Sequence, residues 1–127
     1  MVEVVWSWWV EKEINKMLDC GFLLDDIIID PGIGFGKNIY QNIDILRIIK
    51  ELKSLGVKIF IGHSRKSFMS AFMDPIYFKN NNLELRDLET IAISSNIISN
   101  LQDCYIRVHN ICDHQRFFVA KKISDIY

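Results

Sequence analysis

The sequence predicts an α/β fold, and three observations carry that expectation. Two short apolar runs, Ile27-Ile28-Ile29 and Val57 to Ile61, and a third strand candidate, Cys104 to His109, are too brief for helices and carry β-branched residues. Segments with apolar residues at helical spacing separate them, giving the order α-β-α-β-α-β-α. Continuous apolar runs between helices are the mark of parallel strands buried on both faces. Three such strands leave two open edges, so the pattern reads as part of a larger architecture.

Each element has its own justification. Val2, Val5, Trp6, Trp9, Val10, Ile14, Met17 and Leu18 fall at helical spacing, and Gly21 supplies a stop. The first strand ends at Asp30-Pro31-Gly32, because a residue before proline is held extended and proline removes a donor. Ile45, Ile48, Ile49, Leu52 and Leu55 line one face of a second helix, with Gly56 behind it. The second strand breaks at Gly62. Asp74-Pro75 through Asn80-Asn81-Asn82 reads as a loop. A third helix is expected from about Leu85 to Leu101, and a last one from about Asp113 onward.

Composition sets limits. A chain of 127 residues has room for one domain. Fifteen Lys plus Arg nearly cancel sixteen Asp plus Glu, which excludes a phosphate-neutralising nucleic-acid binder and a polybasic membrane patch. Abundant Ile and aromatics exclude disorder. Cys20, Cys104 and Cys112 form no CxxC pair and read as reduced thiols. The apolar stretch Val2–Val10 contains Glu3 and is followed by Glu11-Lys12-Glu13, so neither a signal peptide nor a span of about 20 apolar residues is expected. A cytoplasmic chain is the expectation.

Candidate chemistry gathers where strands end. In parallel α/β folds ligands bind at the carboxyl ends of the strands. Asp30 stands there, and a carboxylate can accept two hydrogen bonds from a planar N–H/NH2 edge of a heterocycle. The plain alternative is a carboxylate capping the next turn. Gly32-Ile33-Gly34-Phe35-Gly36-Lys37 fits neither a Walker loop nor the dinucleotide fingerprint, yet alternating glycines allow a tight turn and close approach to a ligand. Phe35 offers a ring for stacking. Ser64-Arg65-Lys66-Ser67 places two cations and two hydroxyls after the second strand, suited to an anionic or carbonyl-bearing substrate; a solvated basic turn is the bland alternative.

On the third strand, alternation puts Tyr105, Arg107 and His109 on one face and Cys104, Ile106 and Val108 on the other. Arg107 with His109 resembles a phosphate clamp. A structural ion pair of Arg107, with Asp30 as partner, is the alternative. Cys104, His109, Cys112 and His114 match no usual zinc spacing, and no metal site is assigned to them. His63 and His114 read as surface or supporting residues.

Taken in order and spacing, Asp30-Pro31-Gly32-Ile33-Gly34-Phe35-Gly36-Lys37, Gly62-x-Ser64-Arg65-Lys66-Ser67 and Arg107-Val108-His109 resemble the C-terminal half of the dihydropteroate synthase family of pterin-binding enzymes. The resemblance covers essentially the whole chain, residues 1–127, read as one partial domain. It implies the C-terminal part of a (β/α)8 TIM barrel, about three βα units preceded by one helix, where a whole barrel takes about 250 residues. It implies a transferase of folate biosynthesis and a sulfonamide target. The family condenses p-aminobenzoate with 6-hydroxymethyl-7,8-dihydropterin diphosphate, with magnesium present, and releases pyrophosphate.

By position, the resemblance makes Asp30 the holder of the pterin's amino-pyrimidine edge and Lys66 the contact to pterin oxygen and ring nitrogen. Phe35 and Gly62 would line the pocket, and Ser67 would meet the p-aminobenzoate carboxylate. Arg107 and His109 would clamp the diphosphate. Asn110 departs from the family's usual Asp. Trp6, Trp8 and Trp9 have no assigned role. The magnesium ligand and several rim groups of the family belong to a half that these motifs do not include.

Three readings follow: an enzyme half working with a complementary N-terminal chain, a non-catalytic remnant or binding module keeping pterin or phosphate contacts, and a truncation. With two open strand edges, the isolated chain is expected to associate, bind a complement or aggregate, its oligomeric state being open.

Overall fold

The computed structural model describes residues 2–78, 82–101 and 103–125. Its strands are β1 (Ile28–Ile29), β2 (Lys58–Ile61) and β3 (Cys104–Ile106). The helices are α1 (Val2–Asp19), α2 (Ile39–Leu52), α3 (Pro75–Phe78), α4 (Asp87–Asn100) and α5 (Ile111–Ser124). The sheet has the order β1-β2-β3 and is parallel throughout. Ile29 stands opposite Ile59, Phe60 opposite Tyr105, and Ile61 opposite Ile106. The expected α-β-α-β-α-β-α order is present, with the short α3 added in the stretch read as a loop.

One core holds the unit together. Val10 and Ile14 of α1, Ile45, Ile49 and Leu52 of α2, Ile59 and Ile61 of β2, and Ile97 of α4 are all buried in it. Burying each such side chain stabilises by roughly 1.5–3 kcal/mol. The side chains of Val2 and Val5, assigned to the α1 stripe, and Asn80-Asn81 of the loop lie outside what is described.

Two expectations need correction. Strands buried on both faces were predicted, but the helices cover only one. On the opposite face Ile28 and Tyr105 are each 50% exposed. Lys58 and Phe60 on that face are half-buried, and the face stays open because three strands do not close on themselves. The apolar stripe of α1 is also narrower than its spacing suggested: Trp6 packs on the core, whereas Trp9, Met17 and Leu18 are exposed.

Helix α2 begins six residues before its first predicted apolar position. Asn38 caps it, accepting from Gln41 N while Gln41 Oε1 accepts from Asn38 N, each at 2.9 Å. This reciprocal cap satisfies two otherwise unpaired N–H groups, and its Asn-x-x-Gln signature was readable.

Candidate functional site at the carboxyl ends of the strands

The chain leaves each strand at the same end, and there the predicted site residues collect. Asp30 follows β1, and its Oδ1 accepts from Gly32 N at 2.8 Å. It therefore shapes the turn, as the plain alternative held, while its second oxygen has no partner among the described residues. The turn that follows is anchored by Ile33, only 1% exposed. Asn42, buried at 2% exposure, accepts from Gly34 N at 2.6 Å and donates to Asn38 O at 2.8 Å. Lys37 Nζ donates back to Gly32 O at 2.8 Å and Phe35 O at 3.1 Å. Sequence reasoning missed Asn42: a buried Asn four residues into a helix carries no motif, and only the fold aims it at the loop.

Lys66 lies across this loop. Its Nζ sits 3.8 Å from the centroid of Phe35, a cation over a ring face. Its stem passes so close to Gly34, which has φ +80°, that a Cβ there would come within 2.6 Å of Lys66 Cδ. Glycine is thus required twice at that position, by backbone and by the lysine. Partial burial lowers the Lys66 pKa, Arg107 lowers it further, and Asp30 opposes both. These effects place Asp30, Lys66 and Arg107 in one electrostatic neighbourhood. Arg107 extends past β3, with its N–H donating to Ile61 O at 3.0 Å. Its guanidinium lies over Gly62, where a Cβ would be 3.3 Å from a terminal nitrogen.

The two adjacent cations of Ser64-Arg65-Lys66-Ser67 have different surroundings. Arg65 has φ 58°, an uncommon backbone for a side-chain-bearing residue. It is held by Asp87 through two hydrogen bonds of 2.7 and 2.8 Å. Its N–H donates to Thr90 Oγ1 at 3.2 Å, and its carbonyl accepts from Arg86 at 2.8 Å. The Arg65 guanidinium, with a further hydrogen bond from Asn110, holds the Asp87 carboxyl below its usual range. Arg65 is a brace; Lys66 is the rim cation. Arg107 forms no ion pair among the described residues, so the Asp30–Arg107 alternative is not realised. Ser67 is exposed and makes no hydrogen bond among them.

His63 and His114 are not surface groups. His63 is 0% and His114 7% exposed. His63 Nε2 faces Thr90 O at 3.1 Å and Ser94 Oγ at 2.9 Å, and Ser94 Oγ faces His114 Nε2 at 3.0 Å. A carbonyl only accepts, so Nε2 of His63 carries the hydrogen. Burial pushes the His63 pKa down to about 4. Asn110, the family departure, caps α5 by accepting from Asp113 N at 3.0 Å. Its amide donates to Asp87 at 3.0 Å and Asp113 at 2.8 Å, a bridge between two carboxylates that a third carboxylate could not form while ionised. His109 pairs with Ser64 at 2.9 Å through Nδ1.

A parallel sheet whose strands end in a carboxylate, a glycine turn, a lysine on an aromatic ring and an arginine defines an α/β protein with a candidate ligand site at one rim. The chain belongs to the pterin binding enzyme family, whose model matches residues 2–109. It is 34% identical over 119 residues to a folate synthesis bifunctional protein of Chlamydia caviae, covering 94% of this chain and 25% of that protein. It is 32% identical over 115 residues to the dihydropteroate synthase of Clostridium beijerinckii, covering 89% of this chain and 39% of the relative. The crystal structure of a dihydropteroate synthase from Clostridium difficile, in the presence of pteroic acid, superposes with TM-score 0.77 and 31% identity, covering all of this chain and 45% of that one. The chain thus spans less than half the length of these relatives and corresponds to their C-terminal part. No helix among the described residues is long and apolar enough to cross a membrane.

Proposed function

We propose that this chain forms one side of a cytoplasmic dihydropteroate synthase-like site in folate biosynthesis, working with a complementary N-terminal half. The reaction would join p-aminobenzoate to 6-hydroxymethyl-7,8-dihydropterin diphosphate. The observation that carries the reading is the juxtaposition of Lys66 on Phe35 with Arg107 over Gly62, beside Asp30.

Asp30 would hold the amino-pyrimidine edge with its uncommitted oxygen, and Phe35 and Gly62 would leave a slot for the flat ring. Lys66 would donate to the pterin oxygen and ring nitrogen. Arg107 and His109 would take the diphosphate, and Ser67 the p-aminobenzoate carboxylate. As the methylene C–O bond breaks, its electron pair leaves with pyrophosphate. Positive donors already in place stabilise that growing charge without reorganisation. The aromatic amine nitrogen attacks the methylene carbon, forms the C–N bond and gives its proton to solvent. No protein nucleophile is required.

Magnesium, when bound, would neutralise part of the diphosphate charge. Among the described residues no three His, Cys, Asp or Glu side chains gather to hold it. We assign its ligands to the complementary half, as the resemblance implies.

The test follows dihydropteroate formation from labelled p-aminobenzoate by the full chain, alone and mixed with the N-terminal half of a complete synthase. Product is expected only in the mixture, and Lys66→Ala should lower its rate at least about 100-fold. No product from folded protein, beside a working complete synthase, would leave a remnant that binds pterin or phosphate without turnover.

A further inference from the structure

We propose that Ser64 is a positioning residue that fixes His109 in the tautomer with its proton on Nε2, presenting that N–H to an anionic oxygen at the rim. The second half of this inference rests on the diphosphate reading above; the first stands on geometry. Ser64 follows β2, and it is 4% exposed, whereas His109 beyond β3 is exposed. The parallel pairing that continues through Arg107 N–H to Ile61 O brings the two segments side by side. Ser64 Oγ accepts from His109 N at 3.2 Å and lies 2.9 Å from His109 Nδ1.

A hydroxyl has one hydrogen and two acceptor lone pairs. If Nδ1 carried the ring proton, two N–H groups of one residue would converge on Ser64 Oγ. The hydroxyl's own hydrogen would then be buried with no acceptor among the described residues, an arrangement that folded proteins avoid. If Ser64 donates to Nδ1 instead, its hydrogen and one lone pair are both used. The ring proton then resides on Nε2, which has no partner among the described residues. Arg107, on the same strand face, supplies full charge; His109 adds a directed hydrogen bond. Ser64 does not touch the ligand in this scheme. It acts through the imidazole.

The experiment is a long-range 1H–15N correlation spectrum of the 15N-labelled full chain at pH 8.5, above the ordinary titration range of an imidazole, with His109→Gln to assign the signals. His109 is expected with Nε2 protonated and Nδ1 bare. Ser64→Ala should shift it toward a mixture of tautomers, and Ser64→Thr, which keeps the hydroxyl, should restore it. Pyrophosphate should then move the Nε2 signal, with affinity about three- to tenfold weaker in Ser64→Ala.

A proton on Nδ1 in the unmodified chain overturns the proposal directly, even if the variants fail to fold. The expected tautomer with an Nε2 signal unmoved by saturating pyrophosphate overturns the donor role. The tautomer and pyrophosphate response together, with no dihydropteroate made beside a complement, support the proposal and count against the synthase reading alone.

Discussion

On its helix-covered face the sheet buries Ile59 and Ile61 almost completely, while on the opposite face Ile28 and Tyr105 each leave half their surface in water. Both faces are built from the same kind of residue at alternating positions of the same short strands. What separates them is coverage. The covered face meets α1, α2 and α4 and forms the core; the open face leads upward to Asp30, Arg107 and His109. The core and the proposed ligand chemistry therefore lie on different sides of one sheet, and substitutions should sort accordingly.

The largest effect is expected at the largest buried side chain of the covered side. Phe68 lies in the turn of residues Ser67–Ala71 beside the rim and is only 2% exposed. Truncating a buried phenylalanine removes its transfer free energy and leaves a cavity. Phe68→Ala should therefore cost about 3–5 kcal/mol in urea unfolding. A loss below about 1 kcal/mol would mean that this side is not the folding core, and the contrast between the faces would collapse.

The next effect sharpens the contrast through acid. His63 is buried beneath the rim with its pKa lowered from 6.5 to about 4 by desolvation. The unfolded chain binds this proton as pH falls through about 6.5, whereas the folded chain resists until about 4. Stability is therefore fully present above the unfolded value, declines across that window, and has lost this contribution below the folded value. The size is about 3 kcal/mol, at 1.36 kcal/mol per pKa unit. Denaturant melts from pH 7.5 to 4 should show the decline, and His63→Gln should flatten it. An unchanged slope in that variant would show that His63 titrates as an ordinary surface group.

The two sides also differ in how far the sequence was legible. The strand order and the grouping of Tyr105, Arg107 and His109 on one face follow from local periodicity, which needs no partner to be read. So do the glycine turn after Asp30 and the rim position of Lys66. The burial of His63 does not follow, because nothing near it in sequence names Thr90 or Ser94, which approach from α4. The division of labour between Arg65 and Lys66 is hidden for the same reason, being set by Asp87 at a distance of 22 residues along the chain. The open face of the sheet was misread because strand patterns record what a side chain is suited to pack against, not whether this chain supplies it.

That last point yields the smallest effect and the sharpest test of coverage. Tyr105 stands opposite Phe60 across the β2–β3 ladder, half-exposed on a strand that pairs only with β2 among the described residues. Side-chain neighbours across a ladder contribute about 0.2–1 kcal/mol, so Tyr105→Ala should cost the isolated chain about 0.5 kcal/mol. The complementary half proposed above would cover this face, and the same substitution would then leave a buried gap. Its cost, read as weakened association with the N-terminal half of a complete synthase, should rise to about 3 kcal/mol or more. Phe68, already buried, should show no such increase on mixing. Equal costs for Tyr105→Ala with and without the complement would mean that the open face stays in water, and that whatever completes the rim does so without covering the sheet.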